Sequence, residues 1–156
     1  MKRIDLLLNA LDSTFEKESW YAPFKHAIEG LTAEQAMWKP SGDATNTIWE
    51  NVNHLIYYKE RLAVNLEGRE WTHNLDGNDT FYLTGQSNDD MEWKQVVERS
   101  EDAQRNLRQV LSAISERELE QNSLEGKLLD IMLHDAYHTG QIIQLRKMQG
   151  AWPSKR

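Results

Sequence analysis

Apolar residues recur at three- and four-residue intervals along most of this chain, and no stretch alternates convincingly with the period of two that a strand requires. Ile4, Leu7, Leu8, Leu11 and Phe15 open a first helix, and the pattern predicts its continuation through Trp20, Phe24 and Ile28 to a stop at Gly30, with a kink at Pro23. Thr32-Ala33-Glu34-Gln35 reads as a capping box for a short turn closed by Pro40. Thr47-Ile48-Trp49-Glu50 repeats the device and opens a second helix from about Ile48 to Leu66, with Gly68 as its stop. Between residues 69 and 90 the period is lost to Asn, Asp, Gly and Thr, while Trp71, Phe81 and Tyr82 remain as anchors, so an ordered crossover is predicted. Asn88-Asp89-Asp90 caps a third helix, Met91 to Ile114, Ser115-Glu116-Arg117-Glu118 opens another turn, and the last helix runs from Gly126 to Gly150. Four long helices and two short turns predict an all-α fold, a helical bundle in one domain over 1–156.

The last helix carries more than packing. With His134 at zero and about 100° per residue, Ile131, His138, Ile142, Leu145 and Met148 fall within roughly 80° of it. The two imidazoles thus lie one turn apart in an apolar stripe and can address a single ion. A second stripe, Leu129, Leu133, Ala136, Gly140 and Ile143, leaves a polar wedge at Asp135, Thr139 and Arg146. A helix apolar on both sides is covered on both, so it is either the central helix or half of a dimer contact. His54 stands at the edge of the second helix's stripe, beside Glu50, Tyr57, Tyr58 and Arg61. The two remaining histidines are placed otherwise, His26 on the surface near the end of the first helix and His73 in the crossover.

Composition narrows the chemistry. The 156 residues contain no cysteine, which removes thiolate ligands and cysteine nucleophiles and leaves imidazole, carboxylate and water for any metal. Three neutral imidazoles suffice for Zn, Ni, Fe, Mn or Co with positions left open. Asp130, one turn before His134, and Glu50, one turn before His54, are placed to orient those rings, and Gln141 shares the His138 face. A net charge of −7 argues against a nucleic-acid partner. The early apolar run is broken by Asp5, Asp12 and Glu16, and no run approaches a bilayer span, so a cytoplasmic protein without a membrane partner is expected.

The segments WENVNHLIYYKERL, residues 49 to 62, and HDAYHTGQIIQLRKMQGAWP, residues 134 to 153, closely resemble the DinB/YfiT-like superfamily of metal-dependent proteins. Trp38-Lys39-Pro40 before the second helix agrees with it. The resemblance implies a four-helix bundle with a long crossover between helices two and three, a homodimer, and a divalent ion, zinc or nickel first, on His54, His134 and His138. It implies activity of two kinds: a low-molecular-weight-thiol S-transferase of the bacillithiol type, or a metal-dependent hydrolase. From these residues we expect Glu50 as a catalytic base and Tyr57, Tyr58 and Arg61 as binding residues for a small-molecule thiol or electrophile. A non-catalytic metal-binding dimer of the stress response is the alternative outside enzymology.

Overall fold

The computed structural model describes residues 2–85, 87–121 and 123–155, and every regular element among them is helical. The long helices are α1 (Arg3–Phe15), α4 (Ile48–Leu66), α5 (Asp90–Ser112) and α7 (Leu124–Met148). Short helices α2 (Phe24–Ile28), α3 (Ala33–Met37) and α6 (Glu116–Gln121) occupy the connections. α4 packs on α5 and α7, and α1 packs on the same two, so each long helix touches two others. No helix among the described residues is long and apolar enough to cross a membrane.

The capping signals act as their chemistry predicts. Thr47 Oγ1 accepts the Glu50 N–H at 3.0 Å while the Glu50 carboxylate accepts the Thr47 N–H at 2.7 Å. Thr32 and Gln35 exchange the same pair of bonds at the start of α3, and Asp89 caps α5 through the N–H groups of Met91 and Glu92.

Two expectations need correction. The first helix does not run to Gly30: it ends at Phe15, and Pro23 is the extended residue preceding α2 and not a kink within a helix. Residues 16–19, Glu-Lys-Glu-Ser, carry no apolar group to continue the stripe, and Trp20 beyond them is wholly exposed. The polar wedge of α7 is also misassigned. Asp135 and Thr139 are buried, whereas Leu129 and Leu133 are 51% and 59% exposed. The buried face runs Leu128, Ile131, Met132, Asp135, His138, Thr139, Ile142 and Leu145, an unbroken helical stripe whose middle is polar.

That polar middle divides the interior. One apolar cluster holds Phe15, Phe24, Trp49, Ile56, Trp93, Ala103 and Ile142; the other holds Leu7, Leu11, Ala63, Leu107, Leu111 and Met132. Buried polar residues fall between the two on every long helix: Thr14 on α1, Lys59 on α4, Gln104 on α5, and Asp135, His138 and Thr139 on α7. Lys59 Nζ meets Asp135 Oδ2 at 2.9 Å, donates to Gln104 Oε1 at 2.6 Å and lies 4.8 Å above the Phe15 ring. Gln104 passes the chain of bonds to the Leu11 carbonyl at 3.2 Å.

The crossover is ordered by α4. Asn53 Nδ2 donates to the carbonyls of Phe81 and Thr84 at 2.9 and 3.0 Å, and Thr84 Oγ1 donates back to Asn53 Oδ1. Gly85, at φ +91°, rests on the Trp49 ring, where a Cβ would come within 2.9 Å of three ring atoms. The Tyr57 hydroxyl donates to the His73 carbonyl and accepts the Leu75 N–H. These bonds seat the 3-10 turn Asp79–Tyr82 against α4.

Breaking the buried ion pair from one side leaves the other charge uncompensated. Lys59→Met should therefore cost about 3–5 kcal/mol in urea denaturation, and the double variant Lys59→Met/Asp135→Leu should recover most of that loss.

Candidate metal centre

α4 supplies His54 and α7 supplies His134 and His138, and one nitrogen of each lies within 4.8 Å of the others. His54 and His138 are buried and His134 is half-buried. Their tautomers follow from neighbours already committed to other bonds. The Thr80 hydroxyl donates to the Gly77 carbonyl at 2.6 Å, so towards His54 Nδ1, also 2.6 Å away, it offers only a lone pair. His54 Nδ1 therefore carries the proton and Nε2 does not. Asn51 Nδ2 donates to the Thr47 carbonyl, which identifies its Oδ1 as the acceptor facing His138 Nδ1 at 2.8 Å. His138 Nε2 is likewise bare.

Two bare Nε2 lone pairs thus converge with the Nε2 of His134, which lies 2.8 Å from that of His54. Such an arrangement calls for a cation or a shared proton at its centre. His134 Nδ1 is buried without a hydrogen-bond partner, so no outer bond orients this third ring, and without an ion the proton of the 2.8 Å contact sits on His134 Nε2, facing the bare Nε2 of His54. A divalent ion is compatible with this donor set: three nitrogens on two rigid helices, two of them held by outer hydrogen bonds in the orientation a metal requires.

The rings also stay neutral. Burial, aided by His138 and His134, pushes His54 down to about 3. Burial and His134 push His138 down to about 4, with Gln141 and Asp135 offsetting part of the effect. His134 is lowered by burial and then by the Lys59 cation. At neutral pH all three are neutral donors rather than imidazolium ions.

Aromatic rings enclose the group. Phe81 stacks on His54 with centroids 4.0 Å apart and 10° between planes, and Tyr58 sets its edge against His54 and His134 at 4.9 and 5.4 Å. A cavity of about 610 Å³ opens on His54 and His134, with Tyr58, Arg61, Leu62 and Asn65 on the α4 side and Lys127, Asp130 and Ile131 on the α7 side. A second cavity, of about 420 Å³, lies under Phe15, Phe24 and Trp93 and contains none of the three histidines.

Not every residue singled out from the sequence arrives at this cavity. Tyr58 and Arg61 line it, but Tyr57, about 100° further round the helix, is buried in the crossover with its hydroxyl engaged there. The Glu50 carboxylate is engaged in the α4 cap, and Thr80 takes the place beside His54 Nδ1. Asp130 lines the cavity without bonding His134 Nδ1. Gln141 is exposed beside His138 and favours that ring's proton. His26 and His73 are exposed and outside the group.

Asn51, Thr80, Phe81 and Lys59 were missed. Asn51 and Lys59 had a signal, a polar residue within or beside a strongly apolar helical stripe, whereas Thr80 and Phe81 sit in an aperiodic segment whose pairing with α4 no local pattern reveals.

A family model described as DinB superfamily matches residues 18–142, a span that contains all three histidines together with Asn51 and Thr80. No curated protein matches, and no solved structure matches.

Removing an outer partner should loosen the metal without unfolding the chain. Thr80→Val and Asn51→Ala should each lower metal affinity about 10–100-fold in competition with a chromogenic chelator, while the helical circular-dichroism signal is retained.

Proposed function

This chain belongs to the DinB superfamily, and from that premise we propose that it is a metal-dependent enzyme centred on His54, His134 and His138, with zinc or nickel as the first choice of ion and iron, manganese or cobalt as compatible ones. The reading rests on one observation, the convergence of Nε2 lone pairs beside an open cavity. A divalent ion bound there supplies a Lewis acid that lowers the pKa of a thiol or a water and makes a nucleophile available at neutral pH.

The chain's own part is to hold, orient and exclude. Thr80 and Asn51 keep the Nδ1 protons of His54 and His138 turned away from the centre. Phe81 covers one face of His54 and keeps water from it. Tyr58 and Arg61 form the wall against which a cosubstrate lies.

Among enzymatic readings we favour thiol S-transfer of the bacillithiol type over hydrolysis. Transfer needs a nucleophile brought by the cosubstrate and an electrophile held near it, and the cavity has the volume for small molecules. Hydrolysis by general base calls for a carboxylate free to take a proton from water; Glu50, the candidate for that role, has its carboxylate on the Thr47 N–H, so that route would fall to Asp130 on the cavity wall. The same reading puts the protein in the cytoplasm, where low-molecular-weight thiols are kept reduced.

Metal analysis of a tag-free preparation should find about one ion per chain, lost in His54→Ala and His138→Ala. A panel of bacterial thiols offered with a model electrophile should then show conjugation that a chelator abolishes. Wild-type protein that takes up no metal sinks the proposal; metal without conjugation or hydrolysis across the panel leaves the stress-response binding dimer.

We also propose a homodimer through α7. Leu129, Leu133 and Tyr137, four residues apart, present an exposed apolar row, and a two-fold axis would cover it with its own copy. Light scattering at micromolar concentration should report a dimer that Leu129→Glu/Leu133→Glu dissociates; a wild-type monomer would overturn this.

A further inference from the structure

The cavity beside the imidazoles has two ends of different chemistry. α4 and α7 run antiparallel across it, since Asn51 meets His138 and His54 meets His134. Moving away from the histidines, Arg61 lies seven residues beyond His54 on α4, and Lys127 lies seven residues before His134 on α7. Seven residues are two turns, about 10 Å along either helix, so the two cations stand level with one another on opposite walls. Both line the cavity.

Neither forms an ion pair among the described residues. Five of the eight described arginines, Arg3, Arg69, Arg99, Arg105 and Arg108, are held by carboxylates, whereas Arg61 faces the cavity without one. Asp130, one turn from His134 on the same wall, repels an anion near the imidazoles and offers an acceptor to a hydroxyl or amide midway.

We propose that Arg61 and Lys127 form an oxyanion subsite, so that the substrate is an elongated molecule with a neutral or thiol end at the histidines and a carboxylate or phosphate up to about 10 Å away. This rests on the metal-dependent reading above and adds to it the chemistry by which the substrate is recognised.

The test uses cobalt-loaded protein and ω-mercaptocarboxylates of increasing chain length, each compared with the mercapto-alcohol of equal length, followed by visible absorption. At the length that spans the cavity the carboxylate should bind at least about tenfold more tightly, the gain expected of charge-assisted contacts. Arg61→Gln/Lys127→Gln should erase that advantage, bringing the carboxylate down to the affinity of the mercapto-alcohol, while metal content is unchanged. Equal binding of both series to wild type, or equal weakening of both in the double variant, overturns the subsite. If no thiol perturbs the cobalt spectrum, the thiol reading fails by itself, and the subsite is then judged by calorimetry of glutarate and inorganic phosphate on zinc-loaded protein. Heat that disappears in the double variant supports it and shows which oxyanion is preferred; no heat with either probe, or heat the variant leaves unchanged, overturns it.

Discussion

A lysine and an aspartate, both almost fully buried and 2.9 Å apart, fix where α7 lies along α4. Apolar side chains tolerate sliding, because a leucine one turn away is nearly as good a neighbour; a buried charge does not, because its displacement leaves it unpaired in a medium of low dielectric. A shift of α7 by one turn, about 5.4 Å, would break Lys59–Asp135 and separate His54 from His134 and Asn51 from His138 in the same movement. The ion pair therefore sets a register on which the whole histidine group depends. Its net contribution to stability need not be large for this, since well-packed apolar replacements of buried pairs are often as stable.

The same layer bears on the charge state of the site. Lys59 faces α7 from α4 and discourages a proton on His134, while Asp135 works the other way on His138. Burial outweighs both influences, and all three rings remain neutral. Hydrogen bonds from Nδ1 to Thr80 and Asn51 then decide which nitrogen of two rings is bare. Thr80 belongs to the crossover, so the long connection between α4 and α5 is part of the site and not merely a path across the molecule. Asn53, Thr84 and Gly85 matter to the chemistry for that reason: they clamp the segment that carries Thr80 and Phe81.

How much of this could be read from sequence follows from where each interaction is encoded. His134 and His138 were legible because their relation is local, four residues on one helix, and His54 because the stripe of α4 placed it at the inner edge. The break after Phe15 was written in Glu16-Lys17-Glu18-Ser19, but periodicity resumes beyond it and invites the eye to bridge the gap. Asp135 and Thr139 were assigned to solvent because a polar residue usually belongs there; only Lys59, 76 positions away, reverses that assignment for Asp135. Which tyrosine of the adjacent pair faces the site was equally illegible, since one residue is a turn of about 100° and only the crossover, packed on α4, claims Tyr57.

α7 explains why a helix can look apolar on nearly every side without crossing a membrane. Leu128, Ile131, Ile142 and Leu145 face the interior, Lys127, Asp130 and His134 the cavity, and Leu129, Leu133 and Tyr137 solvent. Three surfaces with different demands share one cylinder, so no single polar face survives in its sequence. The absence of cysteine fits the same division of labour. A protein thiol beside three neutral imidazoles would offer a divalent ion a fourth ligand and close its coordination sphere; this chain offers only the imidazoles and an open cavity beside them. The groups that line the cavity, Tyr58 and Arg61 on one wall and Lys127 and Asp130 on the other, are carried by the two helices that hold the histidines. Cavity walls and histidines are thereby locked into one register, and the ion pair that aligns the imidazoles aligns Arg61 with Lys127 as well.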